Sequence, residues 1–216
     1  KPLQAFENAE ESKDLLNQYK YKTIDRADAY RTYATACLTR GEYKEAERSL
    51  RKAQYLSPTD EKNDIDEYSR LYIDKGEYSL VEKILIKKLE KRKAQFGINH
   101  KRTLPVYNQL TELYITLGDF TSANVYNKES LLLSDQLFTK KSIQYIKALK
   151  LKASLHTSVG DFKEAVHDYE QSYGLENELY GKNNIIAAQT KIQLLLCQYK
   201  NKSFSEGLRV WPFAIF

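Results

Sequence analysis

"LGDF" at residues 117–120 returns as "VGDF" at residues 159–162. Gly118 and Gly160 stand 42 positions apart, as do Phe120 and Phe162, and Phe204 continues the aromatic ladder at the same interval. Working outward, related triplets occur at Gly41-Glu42-Tyr43, Gly76-Glu77-Tyr78 and Lys202-Ser203-Phe204. Three residues past each aromatic comes Ala46, Val81, Ala123, Ala165 or Gly207. Small residues recurring at one place mean that two backbones approach closely there. Self-similarity at such a period marks a repeat architecture and decides the fold before any single element does.

Each copy has the same internal grammar. Ahead of the first glycine, Tyr30, Tyr33, Ala34 and Cys37 fall at i, i+3, i+4 and i+7, one face of a helix; Tyr107, Leu110, Thr111 and Tyr114 repeat that pattern. Gly ends the first helix because it takes the left-handed conformation freely. The Asp or Glu that follows sits near the start of a second helix, where the helix dipole favours negative charge. That second helix carries Tyr43, Ala46, Leu50 and Ala53 and closes at Ser57-Pro58. Turns are thus expected at Gly41, Gly76, Gly118, Gly160 and near Lys202. In the last copy Ile192, Leu195, Leu196 and Tyr199 are expected to form the packed face; that register would turn Cys197 toward the concave side, but a buried spectator thiol is the preferred reading.

Composition agrees with an all-helical chain. The 216 residues include only 8 Gly and 4 Pro, so few positions punctuate strands. The 17 Tyr against one Trp make tyrosine the main bulky packing residue. A net charge of +5 is spread over both signs, and the densest basic run, Lys87 to Phe96, contains Glu90, so it reads as a solvated helix face and not as a nucleic-acid surface. No apolar run approaches a membrane span, and no signal peptide is visible. The chain opens at Lys1 without Met, which implies upstream residues in the native protein; a cytoplasmic location is expected, with export left open.

The segment Ala27–Pro58, with Tyr30, Ala34, Gly41, Tyr43, Ala46, Leu50, Ala53 and Pro58, resembles the tetratricopeptide repeat. It departs at Tyr33, where Leu is usual, and at Cys37, where Tyr is usual. The later copies are longer, and Phe96-Gly97, Phe138-Thr139 and Tyr180-Gly181 form a second 42-residue ladder. Their lengthened pairs and the Gly-x-x-His loop at Gly97–His100 resemble the kinesin-light-chain subtype. The resemblance implies an all-α, right-handed superhelical α-solenoid of antiparallel helix pairs. The divisions are a partial leading helix at 1–26, repeats at 27–61, 62–103, 104–145 and 146–187, and a partial repeat with an apolar tail at 188–216.

Chemistry is sparse. His100, His156 and His167 lack a third ligand at helical spacing, Cys37 and Cys197 fit no metal pattern, and no nucleophile–base or phosphate-binding motif occurs. Acidic residues read as scattered over exposed faces. No catalytic, cofactor or metal site is assigned, and a non-enzymatic interaction scaffold is expected. The resemblance places groove residues on the first helices: Arg31, Thr35, Asp66, Arg70, Asn108, Glu112, Lys147, Lys150, Ser154 and Gln193. The wall turns basic at Lys147 and Lys150, which points to a protein or peptide partner of acidic character; nucleic acid and membrane are not expected. Thr35 and Glu67 stand where a clamp for chaperone tails would carry Asn. Self-association through the apolar tail at 208–216 is a further expectation. The competing reading is a regulatory segment of a larger protein, of the peptide-pheromone-receptor or CHAT-peptidase type.

Overall fold

The computed structural model describes residues 2–19, 21–57, 64–181 and 184–210; of residues 2, 64–67 and 203–210 the backbone alone is described. The described residues form ten helices: α1 Pro2–Gln18, α2 Thr23–Arg40, α3 Tyr43–Leu56, α4 Asp64–Asp74, α5 Tyr78–Phe96, α6 Leu104–Leu117, α7 Phe120–Leu137, α8 Ile143–Val159, α9 Phe162–Tyr180 and α10 Ile185–Val210. No strand occurs among them. This is an all-α solenoid of adjacent helix pairs.

The four expected glycine turns are present. Gly41 and Gly160 adopt φ of 76° and 83°. After each, the chain closes the same pair of hydrogen bonds. Gly41 N–H donates to Leu38 O (3.1 Å) and Glu42 N–H to Cys37 O (3.0 Å), while Asp161 N–H donates to His156 O (2.9 Å). These bonds satisfy the carbonyls that a helix end would otherwise leave open. The second helices then start on side-chain caps at Asp119, which accepts from Ser122 N–H at 3.1 Å, and at Asp161, which accepts from Glu164 N–H at 3.3 Å. At α6 the first turn holds Pro105, whose missing N–H would have had no partner there.

Two compact units result, residues 1–88 and 89–216. In the first, α2 packs against α1, α3 and α4. Its core joins Phe6, Tyr33, Ala34, Cys37, Ala46, Leu50 and Leu71. Phe6 and Tyr33 meet at 5.4 Å between ring centres, and Arg40 and Lys13 cover them with cations at 4.0 and 3.8 Å. In the second unit each helix from α6 to α10 packs on the next, and α6 also touches α8. Tyr126 lies between Tyr107 and Tyr114, nearly parallel to the latter at 5.5 Å, so tyrosine does supply much of the bulky packing. Ala46, Val81, Ala123 and Ala165 are all fully buried, as close helix approach requires.

The last helix departs from expectation. No turn forms near Lys202; α10 runs unbroken to Val210. Lys202 and Ser203 stand where the other copies have Gly and Asp or Glu, so no residue there favours the left-handed stop. The packed face is also different. Ala187, Thr190, Leu194 and Cys197 are buried, whereas Ile192, Leu195, Leu196 and Tyr199 are half to three-quarters exposed. Cys197 is a buried thiol, as preferred, and packs beside Ala153, Ala165 and Tyr169. The side chains of the expected contact tail at 208–216, and the positions of Pro58 and Pro212, lie outside the described residues.

Candidate functional site

In the second unit the first helices α6, α8 and α10 bring polar side chains to one cleft of about 400 Å³, walled also by α9. Glu112 comes from α6, Lys147 and Lys150 from α8, and Gln193 from α10. These are four of the ten residues expected in a groove, gathered from three successive first helices. Between them the lining is aliphatic and aromatic: Ile143, Ile146 and Leu151 on α8, Tyr169 and Tyr180 on α9, and Ile186 on α10. An apolar pocket with a few polar groups is the usual build of a binding site.

The other expected residues are placed differently. Arg31 is only 4% exposed, and its Nη1 donates to Asp28 Oδ1 at 2.7 Å, so it serves its own helix and offers no accessible charge. Thr35 is half-buried and donates back to Arg31 O at 3.1 Å. Asn108 is 5% exposed and accepts from Ser130 Oγ at 2.6 Å, joining α6 to α7 in place of lining a groove. Arg70 is exposed on α4, and Ser154 is half-buried on α8 outside the cleft lining. The side chains of Asp66 and Glu67 lie outside the described residues.

The electrostatics of the α8–α9 pair also correct the sequence reading. Acidic residues are not confined to exposed faces: Asp168 and Glu176 are each 1% exposed. Lys152 Nζ donates to Asp168 Oδ1 at 3.0 Å, and His156 Nδ1 lies 2.9 Å from Asp168 Oδ2. Lys150 Nζ donates to Glu176 Oε1 at 3.0 Å. Lys150 therefore brings little net positive charge to the cleft. Burial pushes the Tyr169 phenol above its ordinary range, which keeps it neutral in the cleft wall.

Sequence reasoning missed Glu176, Tyr169 and Tyr180 because it assigned the groove to first helices alone, and missed Ile143, Ile146, Leu151 and Ile186 because it took only polar positions there. A signal was present. Ala165, Tyr169, Ser172 and Glu176 fall at i, i+4, i+7 and i+11, so the carboxylate continues a buried column of α9.

The fold and cleft define a class: helical-repeat modules whose pairs present a preformed surface. Residues 27–60 match the family model described as Tetratricopeptide repeat. Among solved structures the fold is similar to the crystal structure of BtubC (BKLC) from P. vanneervenii, with a TM-score of 0.74. That alignment has 17% identity and covers 94% of this chain and 85% of the other. Comparison with curated proteins gives no match. Tetratricopeptide repeats generally act as non-enzymatic modules of protein–protein interaction. No helix among the described residues is long and apolar enough to cross a membrane.

Proposed function

We propose that the chain is a protein-interaction scaffold whose second unit holds an extended or helical segment of a partner in the α6–α8–α9–α10 cleft. The observation that carries this reading is the convergence of Glu112, Lys147, Lys150 and Gln193 on one apolar-floored cleft. A surface already formed by packed helices loses little ordering entropy on binding, so contact energy is retained as affinity. The recognised segment presents aliphatic or aromatic side chains to Ile143, Ile146 and Ile186. Of the two lysines that point to an acidic partner, Lys150 is neutralised by Glu176 and Lys147 alone makes no ion pair among the described residues. The 42-residue register, with repeats at 104–145 and 146–187, belongs to the same proposal. It is supported by the paired turns at Gly118 and Gly160 and by second helices of 18 and 19 residues.

The test uses a photo-crosslinking residue at Ile143 or Gln193, and at Lys128 on α7, outside the cleft lining, as control. Partners from an extract of the source organism should crosslink at the first two positions, and the Gln193 crosslink should be lost with Ile143→Glu. Equal crosslinking from Lys128 would show that the cleft is not the site.

A further inference from the structure

Glu176 is the anomalous member of the cleft wall. It is a carboxylate set among Ile146, Leu151, Tyr169, Tyr180 and Ile186, and it is almost wholly withdrawn from solvent. Oε1 takes the Lys150 ammonium at 3.0 Å, while Oε2 is buried and accepts no hydrogen bond among the described residues. An ionised carboxylate offers about four acceptor sites, and a buried one left half-used is costly. Lys150, about a third exposed, stands on the solvent side of it on a flexible four-carbon stem.

We propose, resting on the reading of this cleft as the partner site, that it receives a cationic side chain on an aliphatic stem. A lysine- or arginine-type group of the partner segment would pair with Glu176 as Lys150 swings outward. Its stem would lie against Ile146, Leu151 and Ile186 of the same lining. A guanidinium adds a second donor matched to the spare oxygen. An anionic group meets the opposite conditions: the lining balances Glu112 and Glu176 against Lys147 and Lys150, and an anion that drew Lys150 away would leave the buried Glu176 charge unpaired.

The experiment titrates the full chain, labelled at isoleucine methyls, with hexylammonium, hexanol and hexanoate, three probes alike in stem and different in head. Hexylammonium should shift the methyls of Ile146 and Ile186 and bind at least about tenfold more tightly than hexanoate, the worth of one hydrogen bond to a charged group. Glu176→Gln should abolish that preference, and Lys150→Met, which removes the rival cation, should strengthen hexylammonium binding. Equal or tighter binding of hexanoate overturns the proposal, as does a preference that survives Glu176→Gln. Binding of all three probes without preference sinks the cation site and leaves the groove standing. If no probe moves these methyls, the groove reading falls as well. Should either variant fail to fold, the preference of the wild-type chain decides.

Discussion

One substitution, glycine to alanine, should act with opposite signs at two positions fourteen residues apart in the same helical hairpin. Gly160 ends α8 at φ 83°, and a Cβ built there meets nothing within 4 Å. The cost of Gly160→Ala is therefore conformational alone. A left-handed L-residue is worth about 1–2 kcal/mol against it, less the entropy that alanine removes from the unfolded chain, about 0.4–1 kcal/mol. The net destabilisation is about 1 kcal/mol. Gly174 lies inside α9 with helical backbone, and its added Cβ also meets nothing within 4 Å. Here alanine should stabilise by about 0.5–1 kcal/mol, because helix-interior glycine surrenders more backbone freedom and gains nothing in return. The two variants should differ by about 1.5–2 kcal/mol, or roughly 3–8 °C in Tm for a chain of this size. Urea unfolding followed by circular dichroism and calorimetry both read it. Gly160→Asn, which tolerates φ > 0, should recover part of the loss. If Gly174→Ala is as destabilising as Gly160→Ala, the assignment of one glycine to a turn and the other to a helix interior is wrong.

Ala165→Leu should overpack the α8–α9–α10 core formed with Ala153, Tyr169, Leu194 and Cys197, and cost about 1–3 kcal/mol. Lys163→Leu, on the exposed side of α9, should stay within about 0.5 kcal/mol, and equal melting temperatures for the two would contradict the packing. In the first unit Glu47 accepts from Arg51 at 2.8 Å and lies 3.7 Å from Lys75. The Arg51 hydrogen bond, aided by Lys75, holds its carboxyl below the ordinary glutamate value. The folded state thus prefers the ionised form, so this contribution is present above the unfolded value and is lost as pH falls through the lowered folded one. The stability gap between wild type and Glu47→Gln, under about 1 kcal/mol at neutral pH for so exposed a pair, should close on acidification. A gap that widens toward acid would refute the pairing.

The turns were legible because their physics is local. A residue that must take positive φ is written as Gly, and a residue at a close helix crossing is written as Ala, whatever lies elsewhere in the chain. The face of α10 was not, because apolar content and burial part company there. Ile192, Leu195, Leu196 and Tyr199 are the larger side chains, yet the buried ones are Ala187, Thr190, Leu194 and Cys197. The 42-residue ladder held the answer: Val106, Ala148 and Thr190 are equivalent, as are Leu113, Leu155 and Cys197, and all six are buried. Leu195 occupies the place of Thr111 and Ala153, both fully buried under a second helix. Among the described residues none folds back over α10, so the same position lies open. Arg31 and Asn108 were assigned to a groove by the resemblance, which gives the general direction of a side chain but not the neighbour that covers it. Asp168 and Glu176 escaped notice for the complementary reason, since their burial depends on amines supplied by another helix.

Those two carboxylates have a consequence for assembly. Repeats that resemble one another could pair a first helix with the wrong second helix; a slide within the α8–α9 hairpin is already forbidden by its two-residue turn at Gly160-Asp161. Asp168 and Glu176, eight residues apart on α9, hold Lys152 and Lys150 on α8 at fixed heights. A mispaired α9, facing Asn108 and Leu110 of α6 in place of Lys150 and Lys152 of α8, would strand both carboxylates in the interior, each at a penalty of about 3–5 kcal/mol. The ion pairs thus act as keys in a lock of otherwise interchangeable parts, rejecting the mispaired copies that repetition itself makes available.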